Sequence, residues 1–101
     1  MQEVINKVKT YLGFSLKSGS IIFGYDNIVK RINKIKLIIL CSSANEKTIL
    51  NIKKLKQETI KLKSLTLSEL LERDNVKAIG LTNENLTKAI LENIDIFEKL
   101  N

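Results

Sequence analysis

The sequence predicts a three-layer α/β/α sandwich around a small central mixed sheet, and three observations carry that expectation. Apolar residues recur at helical spacing in stretches that alternate with short apolar runs of strand length. One of those runs, Lys36 to Cys41, is apolar on both faces, as a strand covered by helices on both sides would be. The 101 residues, with 4 Gly and no Pro, suffice for one domain spanning 1–101 and contain no linker, repeat or low-complexity tail. The expected order is α-β-α-β-α-β-α-β-α. A flavodoxin-like sheet shares the alternation but requires more strands and a phosphate-binding or acidic cluster at the strand ends.

Val4, Val8, Tyr11, Leu12 and Ser15 form one helical stripe, predicting a first helix over Glu3 to Ser18 that Gly19 stops. Ile21-Ile22-Phe23, bounded by Gly19-Ser20 and Gly24, is a short strand. Tyr25, Ile28, Val29 and Ile32 return to the helical period and predict a second helix ending around Asn33 and Lys34. Lys36 to Cys41 is then the central strand. Asn45, three residues before Thr48, caps a third helix marked by Ile49, Ile52, Leu55 and Lys56. Ile60 to Leu65 alternates apolar and lysine, as a half-exposed strand nearer an edge does. Thr66 or Ser68 caps a short helix through Leu70 and Leu71, Arg73-Asp74-Asn75 turns, and Val76 to Thr82 is a further apolar strand. Asn83 caps a final helix through Leu86, Ala89, Ile90 and Ile94 to Phe97.

Composition bounds function. The single cysteine, Cys41, has no intrachain partner, and the chain has no histidine, the commonest metal ligand and general base. No catalytic residue, metal site, cofactor or small-molecule substrate is expected. Lys or Asn interrupts every apolar stretch before it reaches the ~18 residues of a membrane span. Met1 to Thr10 has no long apolar segment of a secretory signal, so a cytoplasmic, membrane-free protein is expected. The net charge of +6 suggests a polyanionic partner, discounted by the makeup of that charge: 15 Lys against 2 Arg, within a bias towards Lys, Ile and Asn. No coiled-coil seam is present, and a monomer is the default.

The stretch from Lys17 to Arg31 gathers the most chemistry. Gly24, at the mouth of the second helix, lets a nucleic-acid backbone approach closely, and free amides at a helix start attract phosphate. Asp26 can accept from a base amine, and the Asn27 amide can both donate and accept on a purine edge. Lys30 and Lys34, spaced i and i+4, together with Lys17 from the neighbouring loop, could clamp phosphates. Tyr25 is a candidate for stacking on a base. The same residues also read blandly: Gly24 turns the chain, Asp26 offsets the helix dipole, and the lysines form a solvated face.

Leu12-Gly13-Phe14-Ser15-Leu16-Lys17-Ser18-Gly19 and Gly24-Tyr25-Asp26-Asn27-Ile28-Val29-Lys30 resemble the two opening motifs of the kink-turn-binding ribosomal-protein family. That family is typified by archaeal ribosomal protein L-seven-Ae, and the likeness is greatest to its small bacterial YlxQ-type branch. Lys36 to Leu40 is similar to a family strand, Ser68-Glu69-Leu70 falls where members carry an E-L-G loop, and Ala78 to Asn83 is similar to the branch's last strand and helix entry. The resemblance implies an α/β/α sandwich and a non-catalytic protein that binds a kink-turn or similar structured RNA, often ribosomal RNA. It implies that Gly24 approaches the RNA backbone, Asp26 and Asn27 face sheared G·A pairs, and Lys30 contacts phosphate or base. It further implies that the loop near Thr66 and Leu67 shelters an extruded nucleotide, with Lys77 as an additional phosphate contact.

The chain departs from the family at several positions. Asn27 stands where strong binders have Glu, Leu71 replaces the loop glycine, and Ser43 and Asn45 stand where the branch usually has Asp and Ser. A module that kept the sandwich but binds a protein in place of RNA is the alternative these departures allow. The remaining candidates read as structural: Cys41 as a core thiol, Ser42-Ser43 as loop hydroxyls, Glu69 and Glu72 as a solvated pair. Tyr11, Phe14, Phe23 and Phe97 sit mostly at core-facing periods.

Overall fold

A computed structural model describes residues 2–101. The first helix, α1 (Gln2–Lys17), buries Val8, Leu12 and Ser15, the stripe expected from spacing. Its end is closed by two backbone bonds, Ser20 N–H to the Ser15 carbonyl at 2.8 Å and Gly19 N–H to the Leu16 carbonyl at 3.2 Å. That closure needs a left-handed residue, and Gly19 supplies it at φ 69°. β1 (Ile21–Phe23) and α2 (Tyr25–Lys30) follow, then a 3₁₀ turn (Ile32–Lys34) and β2 (Leu37–Leu40). The second half comprises α3 (Glu46–Lys53), β3 (Thr59–Leu62), α4 (Leu67–Leu71), β4 (Ala78–Leu81) and α5 (Glu84–Leu91). It finishes with a second 3₁₀ turn (Ile94–Ile96) and β5 (Phe97–Lys99).

The strands form one mixed sheet in the order β1-β4-β2-β3-β5. β2 and β3 are parallel, and the other three pairings are antiparallel. β2 is the middle strand, and all four of its residues are fully buried. Alternation divides them: Leu37 and Ile39 enter the core shared with α1, α4 and α5, while Ile38 and Leu40 enter the smaller core shared with α2 and α3. Each such side chain contributes about 1.5–3 kcal/mol on burial, so a four-residue strand is held from both sides. This is the α/β/α sandwich the sequence predicts.

Three helix caps fall where sequence places them. Asn45 accepts from Thr48 N–H at 2.9 Å, Thr66 from Glu69 N–H at 3.1 Å, and Asn83 from Leu86 N–H at 2.9 Å. The expected long final helix does not form. Ile90, Ile94 and Phe97 share a helical period, yet α5 stops at Leu91, and Phe97–Lys99 becomes a fifth strand. The free edge of β3 decides this, because its backbone groups need partners and β5 supplies them, with Leu62 opposite Phe97 and Ile60 opposite Lys99. Lys61 to Glu98 at 3.7 Å reinforces the same pairing. β3 therefore lies nearer an edge than β2, as expected, but next to the edge strand and buried at Thr59, Ile60 and Leu62, not half-exposed as its alternation suggests. The second helix is also shorter than expected, ending at Lys30. Phe14 is 52% exposed, against its expected place in the core. Among the described residues, no helix is long and apolar enough to cross a membrane.

Candidate nucleic-acid interface

Gly80 on β4 sets where α2 lies. A Cβ at this position would come within 2.7 Å of Ile35 Cδ1 and 3.4 Å of Ile28 Cγ1. Only hydrogen fits there without displacing a neighbour, so α2 and the turn after it lie directly on β4. Gly24, at the start of α2, then donates its N–H to the Ala78 carbonyl at 3.1 Å. Its backbone sits at φ 86°, ψ 150°, a region essentially restricted to glycine. An added Cβ would meet nothing within 4 Å, so the glycine is required by backbone conformation and its surroundings are open.

That open space is a cleft of about 370 Å³, lined among others by Phe23, Gly24, Tyr25, Thr48, Asn75 and Lys77. It lies where β1 and β2 finish and β4 begins, the strand-end position at which α/β sheets usually hold ligands. Its volume is at the lower end of ligand pockets, roughly 300–1,000 Å³. Three residues named from sequence, Gly24, Tyr25 and Lys77, meet in it. Tyr25 is 37% exposed, and Asp26, Asn27 and Lys30 are exposed along α2 beside it. Asp26 makes no ion pair among the described residues. Asn27 donates one amide N–H to the Phe23 carbonyl at 3.0 Å, which leaves its Oδ1 and its second N–H without a partner among the described residues.

Lys77 reaches across to the loop after β2, where its Nζ donates to Ser43 Oγ at 3.3 Å. Ser43 Oγ in turn donates to Cys41 Sγ at 3.2 Å. Burial raises the Cys41 pKa, but the Ser43 hydroxyl, the backbone N–H groups of Ser43 and Leu67, and the Lys77 charge outweigh it and hold the thiol below its ordinary value. With 1% of its surface exposed, Cys41 remains a core side chain.

Other expected contacts lie elsewhere. Leu67 is fully buried in the larger core, so its side chain has no surface with which to shelter a nucleotide. Thr66 is engaged as the cap of α4. Glu69-Leu70-Leu71 is a helix whose two leucines face the core, not a tight loop. The expected clamp of Lys17, Lys30 and Lys34 is divided by the strand register. Lys17 precedes β1 and Lys34 precedes β2, and the first residues of both strands, Ile21 and Leu37, pair with Leu81 at the far end of the sheet. Phe23, beside Gly24, pairs with Ile79 at the cleft end. Lys30 stands in the last turn of α2, between the two ends.

Arg73 was legible in sequence only as part of a turn. Its guanidinium carbon lies 4.7 Å from the centroid of the ring of Phe23, one of the residues that line the cleft. Thr48 and Asn75 likewise line the cleft without a sequence signal, because loops distant along the chain bring them there. Among the described residues, no three His, Cys, Asp or Glu side chains gather to hold a metal.

No family model matches the sequence, and no curated protein matches it. Among solved structures, the chain is similar to a protein with unknown function from Bacillus halodurans C, with a TM-score of 0.76 at 18% identity over 88% of this chain and 97% of that one. At that identity the likeness shows a shared fold.

Proposed function

We propose that this protein is a non-catalytic, cytoplasmic RNA-binding protein that recognises a kink-turn or similarly structured RNA, in association with the ribosome. The convergence of Gly24, Tyr25 and Lys77 on one open cleft, beside the exposed residues of α2, carries this reading. A glycine backbone with open space around it suits close approach of a sugar-phosphate chain, an exposed tyrosine offers a stacking face, and lysines supply counter-charge. The resemblance of Gly24 to Lys30 to the kink-turn family's helix-two entrance supports the same assignment.

Gel-shift titration against a kink-turn RNA, and against the same RNA with its G·A pairs replaced by Watson–Crick pairs, tests this at two salt concentrations. Preference for the kink-turn by about tenfold, or about 1.4 kcal/mol, lost in Lys30→Glu, is the expected result. Equal weak binding of both RNAs would overturn it. A protein-binding module is the second reading, which the departures from the family at Asn27 and Leu71 allow. Under that reading, association with a partner in cell extract survives nuclease treatment and is unchanged in Lys30→Glu and Asp26→Ala.

A further inference from the structure

We propose that Arg73, seated on the ring of the cleft-lining Phe23, contacts the bound RNA through a two-pronged hydrogen bond from its guanidinium to a guanine edge. The inference rests on the RNA-binding reading and names the residue that gives it base selectivity. Arg73 is exposed and makes no ion pair among the described residues. Its planar group is held by the Phe23 ring at 4.7 Å, a cation–π contact that restricts the side chain before any ligand arrives. The backbone beneath it is fastened from both sides by one serine. Arg73 N–H donates to the Ser68 carbonyl at 3.2 Å, and Val76 N–H donates to Ser68 Oγ at 3.3 Å. Within that loop Asn75 takes a left-handed conformation at φ 60°, which Asn tolerates better than most residues. A side chain fixed at both root and tip loses less freedom on binding.

The chemistry at the entrance of α2 leaves a gap that Arg73 fits. A guanine presents two acceptors, O6 and N7, on its major-groove edge, and a recognising side chain must donate to both. Asp26 only accepts; the Asn27 amide spends one N–H on the Phe23 carbonyl and Lys77 one on Ser43 Oγ, which leaves Asn27 a single donor and Lys77 two, with no planar fork on either. Arginine has the fork that matches two acceptors, whereas a lysine offers a point charge. The chain carries only 2 arginines among its 17 cations, and one of them rests on a ring that lines the cleft.

Fluorescence anisotropy with a fluorescein-labelled kink-turn RNA and its Watson–Crick counterpart tests this, using the full chain and the variants Arg73→Lys, Arg73→Ala and Phe23→Leu. Thermal melts establish that each variant is folded. Arg73→Lys preserves charge, so the expected result is about a tenfold loss of kink-turn preference with an unchanged salt slope, and a loss as large in Arg73→Ala. Phe23→Leu frees the guanidinium and gives an intermediate loss. If Arg73→Lys binds both RNAs as the wild type does, or Arg73→Ala weakens both equally, the residue is at most a phosphate contact and the inference falls while RNA binding stands. If the wild type binds neither RNA, both readings fall together.

Discussion

At the end of the sheet where β1, β2 and β3 finish, the chain passes into helix starts at Gly24, Asn45 and Thr66; at the opposite end, α1 closes before β1 begins at Ile21. Lysines stand at both ends, but their surroundings differ. At the far end, Lys17 occupies the last turn of α1 and Lys34 the turn before β2, where a positive charge balances helix-terminal carbonyls. At the cleft end, Lys77 lines open space together with two aromatic side chains and a glycine backbone, and Arg73 rests on the ring of one of them, Phe23. The same residue type thus stands in two different surroundings, and only position separates them. A net charge of +6 therefore overstates the charge available to a polyanion at one site.

The largest expected way to break this contrast is at Gly24. Gly24→Val forces a branched residue into φ 86°, ψ 150° and is expected to lower stability by about 1–3 kcal/mol, read from urea unfolding, while abolishing RNA preference. Gly13 supplies the control, because it lies inside α1 and an added Cβ meets nothing within 4 Å. Gly13→Ala is expected to raise stability by about 0.5–1 kcal/mol, so the same class of change takes opposite signs at the two glycines.

Charge reversal sharpens the comparison next. Lys77→Glu is expected to reduce affinity for a kink-turn RNA by about tenfold, about 1.4 kcal/mol. Lys17→Glu and Lys34→Glu are expected to weaken kink-turn and Watson–Crick RNAs by the same small factor, an effect that vanishes at high salt. Equal losses at both ends, measured by anisotropy, would erase the distinction.

The smallest effect concerns Cys41. Its folded pKa lies below the ordinary 9.0, so between the two values the unfolded chain keeps a proton that the folded chain has released. Stability should therefore rise with pH through that window and lose this contribution as pH falls through the folded value. Lys77→Met removes one of the lowering influences and should flatten the slope, with the thiol titration, followed by thiolate absorbance, moving upward. An unchanged titration would mean that the Lys77 charge is not felt at the sulfur.

Most of the fold was legible because it depends on local pattern. The stripe in α1, the doubly apolar β2 and the caps at Asn45, Thr66 and Asn83 are consequences of side-chain period and short-range hydrogen bonding. The candidate site was legible only in part. Gly24 and Tyr25 are neighbours in sequence and remain so in space, whereas Lys77 joins them through the pairing of β1 with β4. Leu67 was placed beside a nucleotide by the family resemblance alone, whereas in this chain it faces the larger core.

The sequence by itself determined the sandwich, its central strand and the glycine-led start of α2, since spacing, propensity and capping act within a few residues. Tertiary structure alone decided that Phe97–Lys99 is a strand, that Lys17 and Lys34 lie away from the cleft, and that Arg73 rests on Phe23. Each of these depends on which backbone edges and side chains meet after the chain has folded back on itself, where pairing an open edge outweighs a local helical period.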